Sequence, residues 1–507
     1  MALTPRTPEI AVTPRRKIAD TPVDARRPAP GGAARGDGSQ VWLPVGLLLA
    51  VACAATIAPV YERIGGPLLL AMCTLAFSNP FSGLALVSAS QLVPDPDWTN
   101  GISISSLVFL GWAATTLVRV AFGRRPRLPI RAIGLLLPVT GWATIASLTH
   151  GDPYVPTLLA RDALYIVLAY DLYLRAGCDV RRCTLAVLGG CCIAAFGYWA
   201  YRCGLDLVVG NVVSNATLAD MSRGLARIEF GRTDSNTVAV NISAILASVV
   251  AVVVAGGRAD GRRGSRGSNI LWLAIAGVVG VMMLPALAGT MSRGGLAELG
   301  AGLAVVCLFV VAGPRTAGKA HRARVAKLIG MGLVVAIILA VTPYGPEIVA
   351  RIIETQNFTT RQGGLIAARG LTLDGALASM AGSPVLGSSY QQFVDTYGLM
   401  THSSFFDVGV GAGLPGLVLF IGCASWPIIL AVRSKARNQI YLPVFVAYVC
   451  FVVYASTISA LSNKTFWCFW LLCLMNVGNR PPAPKRVRRP AFAVRHPCVT
   501  LARTHVA

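Results

Sequence analysis

The sequence predicts an all-α, polytopic helical membrane protein of about 12–14 transmembrane helices with one large outer loop. Three observations lead there. Hydrophobic residues make up 54% of the 507 residues, charged residues only 13%, and the mean hydropathy is +0.62; soluble domains carry about 25% charged residues. Apolar runs of about 20 residues, the length that crosses a bilayer as a helix, recur along the whole middle of the chain. The third observation is where the basic residues fall. On a fourteen-span path with both termini inside, 33 of the 45 Lys and Arg lie in inside tails and loops, 11 lie in outside segments, and Arg119 stands at the inner end of a span. Short basic loops resist translocation, so this bias sets the orientation. It also accounts for the net charge of +23 without nucleic acid as a partner. The charge is spread over loops on one side and forms no patch interleaved with aromatic residues.

Taken in order, residues 1–40 are rich in Pro, Arg, Ala and Gly and lack an apolar segment. They read as a disordered basic cytoplasmic tail with no cleavable signal peptide. The first span, 41–60, opens at Trp42. The next apolar stretch, 66–93, carries Pro80 near its middle. One helix there would place the acidic 94–100 segment inside, so two short helices are expected, 66–79 and 81–93. Span 103–122 runs into the basic loop FGRRPRLPIR. Span 129–149 ends at THGDP, a turn holding His150. Spans 158–175 and 182–203 lead to an outside segment, 204–235. Span 236–255 is separated from 270–289 by GGRADGRRGSRGS. TMSRGG at 290–295 joins that span to 294–312, and GPRTAGKAHRARVAK joins 294–312 to 327–343. The largest soluble piece, 344–401, is outside. Spans 403–432, 440–460 and 464–478 follow, then a basic tail, 479–507, containing PPAPKRVRRP. Long outside segments paired with short inside loops place recognition or chemistry outside.

Most of the 13 cysteines lie inside apolar spans, where cysteine packs as a small apolar residue. Only Cys203 approaches the outside, so no disulfide is expected. No Cys/His group has zinc spacing, and the expectation is no metal and no cofactor.

Four segments on the outer side carry motifs. RIEFGRTDSN at 227–236 leads directly into a span, and TMSRGG at 290–295 lies between two spans. RGLTLDGALASMAGSPVLGSSYQQF occupies 369–393, and THSSFFDVGVGAGLPG at 401–416 opens another span. In this order and spacing they resemble the O-antigen ligase and O-antigen polymerase superfamily over roughly 200–430. Arg227 and Asn236 match the family's Arg and the Asn nine positions later. Ser292-Arg293-Gly294 matches its Ser-Arg-Gly step. Arg369 matches the Arg ahead of a Pro-x-x-Gly step, here Pro384 to Gly387. His402 matches the His that ends the long outer loop, with Phe405, Gly413 and Gly416 following at the family's spacing. There are departures: Ser403 stands where Asn is usual, Gly411 where an acid is frequent, and Ser389 where the second glycine of a Gly-x-Gly step belongs.

The resemblance implies an inner-membrane glycosyltransferase working at the periplasmic face. Its donor would be a polyprenyl-diphosphate-linked glycan and its acceptor a glycan or lipid A core, in O-antigen (lipopolysaccharide) or exopolysaccharide assembly. The residue types suit that chemistry. Displacing a lipid diphosphate develops negative charge on phosphate oxygens. Arginine binds such oxygens bidentately and stays charged. Arg227, Arg293 and Arg369 are therefore the expected diphosphate cradle, metal-independent, with transfer inverting. An acceptor hydroxyl must lose a proton as it attacks, and a histidine near pKa 6.5 can take it. His402 is the expected base, supported by Asn236, Ser292 and Ser403, with Thr401, Ser403 and Ser404 available to orient the imidazole. Other readings stand beside these. Arg293 could snorkel to the interface, Arg227 could be a solvated loop residue, and Arg369 could pair with Asp374. Glu298 and Asp407 fall within spans, where ionised groups are costly; either could pair with an Arg or with His402. The alternative function is a polysaccharide or lipid-linked sugar flippase. A transporter should carry charged groups on both sides of a midplane cavity, whereas these motifs gather at one face.

Overall fold

The computed structural model describes residues 39–57, 62–91, 104–124, 127–202, 235–255, 266–290, 292–311, 318–341, 365–398, 400–433, 441–461 and 463–478. The tails and most of the two long outer segments, Arg227 among them, lie outside the described residues, as does the side chain of Arg369. Among the described residues every regular element is a helix. In chain order these are α1 (Ser39–Ile57), α2 (Glu62–Ala76), α3 (Pro80–Ala89), α4 (Ile104–Ala121), α5 (Ile130–His150), α6 (Tyr154–Arg175), α7 (Val180–Arg202) and α8 (Ser235–Ala255). They continue with α9 (Arg266–Gly289), α10 (Arg293–Val311), α11 (Gly318–Val341), α12 (Leu365–Gly382), α13 (Tyr390–Tyr397), α14 (Ser404–Arg433), α15 (Leu442–Thr457) and α16 (Lys464–Gly478). All fourteen expected spans coincide with a helix, and α12 and α13 form within the 344–401 segment. Five of the helices, α4, α5, α8, α10 and α14, are long and apolar enough to cross a membrane.

The break at Pro80 has a local cause. Asn79 caps α3, its side-chain oxygen accepting from the N–H groups of Phe81 at 2.9 Å and Ser82 at 3.2 Å. Pro80 occupies the first helical position, where a missing N–H costs nothing. The expected basic loop 313–327 differs from the structure: α11 begins at Gly318 and takes in its Lys- and Arg-rich half. Lysine, arginine and alanine are strong helix formers, and Lys327 Nζ reaches the Val253 carbonyl at 3.0 Å.

Hydrogen bonds sort the helix termini into two ends. At one, Arg119 Nη1 pairs with Asp171 at 2.6 Å, Arg175 donates to the Ser78 carbonyl, and Tyr441 N–H donates to Asn476. At the other, Lys464 donates to Ser105, Ser404 bonds the 458–460 turn, and Ser292 bonds Asn236. Helices α4, α15 and α16 each have one terminus in each group, so these three run up and down as an alternating path requires. α8 packs against α7, α9, α10, α11 and α15, and α16 is buried from Asn463 to Leu474. Large side chains such as Leu117, Leu148, Leu308, Ile329 and Val418 face outward instead. Exposed apolar residues on buried-backbone helices are what a lipid surround requires.

Candidate functional site

The second end, which holds the described motif residues Asn236, Ser292, Arg293 and His402, is built from three helix starts. At the first, Ser292 precedes α10. Its hydroxyl donates to Asn236 Oδ1 at 2.6 Å and accepts the Gly295 N–H at 3.0 Å, capping the helix. Arg293 is then the first residue of α10 and is half-buried. A helix N-terminus carries partial positive charge and unsatisfied N–H groups, so this start favours anions even before the guanidinium is counted. Glu298, one turn further, is fully buried. Its Oε1, Ser292 Oγ and Thr457 Oγ1 lie 3.4, 3.5 and 3.6 Å from where a Cβ on Gly294 would stand. A side chain at residue 294 would thus fill the space between α10 and the end of α15.

At the second start, Ser404 opens α14 and His402 stands just before it. His402 has φ +57°, in the left-handed region. Thr401 Oγ1 accepts the Ser403 N–H at 3.2 Å, and the Ser403 carbonyl accepts the Asp407 N–H at 2.8 Å, closing the turn. The hydroxyl of Thr401 points to Asp407 Oδ1, and that of Ser404 to the Ile458 carbonyl while accepting from Ala460 N–H. These two hydroxyls bond Asp407 and the 458–460 turn beside the imidazole. The 457–460 turn touches both starts, through Thr457 at Gly294 and Ile458 with Ala460 at Ser404. It brings Arg293, Ser292 and Asn236 to the same end of the bundle as His402 and Ser403.

The third start is α13, and it shows how the outer-loop motif is held. α14 is broken at Gly413 (φ +67°, ψ −174°), a conformation open essentially to glycine. The break frees backbone groups. The Val410 carbonyl accepts the Ser388 N–H at 2.7 Å, the Leu414 N–H donates to the Pro384 carbonyl at 2.8 Å, and Trp142 Nε1 donates to the Ala412 carbonyl at 2.9 Å. A Cβ on Gly387 (φ +70°) would stand 2.4 Å from the Val410 oxygen. The Pro-x-x-Gly step and Gly413 thus dock backbone to backbone. The departures from the family pattern also find roles. A Cβ on Gly411 would meet Val155 at 2.4 Å, so no acid fits there. Ser389 caps α13 by accepting from Gln392 N–H and donates its hydroxyl to Asp152 at 3.0 Å.

Asp152, in the THGDP turn, is a residue the motif pattern does not mark. It accepts from Tyr154 N–H at 2.9 Å, Ser389 Oγ at 3.0 Å and Gln391 N–H at 2.8 Å. Burial pushes its carboxyl up, but these bonds outweigh burial and hold it below the ordinary carboxylate value. Tyr154 stacks on Tyr390 with centroids 4.7 Å apart, and Tyr390 donates its hydroxyl to Asp407 at 2.7 Å. Asp407 thus pairs with hydroxyls and not, among the described residues, with an arginine. A second polar group surrounds Tyr165: Lys464 and Arg161 stand 5.6 and 5.8 Å from its ring centroid, beside the fully buried Asp162. Their only sequence signal was charge inside apolar runs. His150, expected in a turn, is the last residue of α5, stopped by Gly151 in the left-handed conformation.

Residues 278–421 match the family model described as O-Antigen ligase. The match spans the Ser292, Arg293, Arg369 and His402 motifs, and over it the chain is similar to O-antigen ligases, as the motif order predicts. No curated protein matches the chain. The matched segment, on a bundle of apolar helices, supports a membrane protein of glycan assembly.

Proposed function

We propose that the protein is a glycosyltransferase that moves a glycan from a polyprenyl-diphosphate donor to an acceptor glycan or lipid A core at the periplasmic face of the inner membrane. The observation that carries this reading is that two helix starts inside the matched segment both touch the 457–460 turn, which lies beyond it. One, at Ser292-Arg293, suits an anion. The other presents His402 in a fixed turn. The donor diphosphate would lie at the α10 start with Arg293, joined by Arg227 and Arg369 from the outer segments. An acceptor oxygen would attack the anomeric carbon. The bond from that carbon to the phosphate oxygen would break, with its electron pair leaving on the diphosphate, and the hydroxyl proton would pass to His402. Arginines serve such a leaving group because its charge is greater in the transition state than in the ground state. Attack opposite the leaving group gives inversion, and no step calls for a metal.

The test is reconstitution of the purified protein in vesicles loaded with a polyprenyl-diphosphate oligosaccharide and an acceptor glycan. Transfer predicts a new glycosidic bond and one polyprenyl diphosphate released for each bond formed. Movement of the donor between leaflets with no new bond would replace this reading by the flippase.

A further inference from the structure

The turn that carries His402 is held at both of its ends by one residue that the family pattern does not assign. Asp407 is 1% exposed. Its backbone N–H donates to the Ser403 carbonyl at 2.8 Å, on one side of His402. Its Oδ1 accepts the hydroxyl of Thr401, on the other side. The same oxygen accepts Tyr390 OH at 2.7 Å from α13, and the Ser459 hydroxyl from the 457–460 turn stands against the carboxylate. A left-handed φ is unfavourable for a residue with a side chain and persists only where the surroundings over-determine it. Here Asp407 supplies those surroundings. It is also the point where the His402 turn, α13 and the 457–460 turn, whose Thr457 stands against Gly294, meet.

We infer that Asp407 is a positioning residue that fixes the His402 turn relative to the Arg293 helix start, acting through Thr401 and Ser403 without itself touching substrate. The inference rests on His402 being the base. It explains why a carboxylate is kept in a buried position where charge is costly. A network satisfied on each side of a strained residue rigidifies that residue, and misplacement of a reacting group by about 1 Å can cost roughly 10²-fold in rate. It also makes the position sensitive to hydrogen-bond acceptance and insensitive to charge. An asparagine side-chain oxygen can accept both hydroxyls that Oδ1 accepts now.

The test compares kcat, donor KM and the pH–rate profile of purified wild-type protein with Asp407→Asn, Asp407→Ala, Thr401→Val and His402→Ala. Asp407→Ala should lose roughly 10²-fold in kcat with donor KM little changed. Asp407→Asn should recover most of that loss and keep the fall in rate at low pH. Thr401→Val removes one hydroxyl at nearly constant volume. It should lower kcat in the same direction, and it decides the matter if Asp407→Ala does not fold. Wild-type kcat in Asp407→Ala or Thr401→Val, with His402→Ala inactive, would overturn the positioning role and leave the base assignment standing. Asp407→Asn as inactive as Asp407→Ala, with the low-pH fall abolished, would make the carboxylate itself the base. Full activity in His402→Ala would remove the premise for both.

Discussion

Arg293 is the residue on which the anion-binding reading depends most. It is half-buried at the first position of α10, beside the Ser292 cap and the buried Glu298. A snorkelling arginine and a diphosphate ligand differ in what replaces them. Arg293→Ala should reduce transfer strongly with the protein still in the membrane, and Arg293→Lys should restore only part, because an ammonium lacks the bidentate fork. Equal activity in all three proteins would return Arg293 to snorkelling. Asp152 makes a different prediction. Its folded pKa is depressed by the bonds from Gln391, Tyr154 and Ser389. Its stabilising contribution is therefore present above the unfolded carboxylate pKa and is lost as pH falls through the folded value. Limited proteolysis near residues 389–397 should increase as pH drops through that acidic range, and Asp152→Asn should flatten the dependence. A profile identical in wild type and variant would show that Asp152 does not link α13 to the α5–α6 turn.

At the scale of elements, the break in α14 is the feature that orders the site. Gly413 and Gly387 allow the chain near Pro384 to bond a helix whose own ladder is interrupted. Gly413→Ala places a Cβ 2.4 Å from the Val385 carbonyl oxygen, in a conformation that costs about 1–3 kcal/mol for a residue with a side chain. It should lower the thermal midpoint in detergent and abolish activity while leaving most helix content. An unchanged midpoint would mean the break is not needed. Ser389→Ala removes a cap and should cost about 0.5–2 kcal/mol. Sequence reasoning located Gly413 and the Pro384–Gly387 step as family positions but could not pair them, because a backbone-to-backbone contact leaves no complementary side-chain pattern. The Pro80 break and the expected spans were legible, since Asn-Pro capping and apolar run lengths are local signals. Residues 457–460, Asp152 and Tyr390 were not. Their roles depend on which helix ends meet, and periodicity within one element is silent on that.

For the whole molecule, the direction of α4, α15 and α16 read from hydrogen bonds between helix ends agrees with the alternation read from charge. The charge bias of 33 basic residues to 11 further proposes which end is periplasmic. Cysteine substitutions at residues 360 and 485 test it: a membrane-impermeant reagent should label the first in intact spheroplasts and the second only after lysis. Labelling of 485 alone would invert the scheme, and labelling of both would overturn it. The central claim is that this end performs glycan transfer with His402 as the base, and the most direct test is the turnover of purified His402→Ala under saturating donor, measured beside its donor affinity. Turnover should fall by roughly 10²–10⁴ with donor binding retained, since the arginines hold the diphosphate. Near wild-type turnover in the variant would contradict the account.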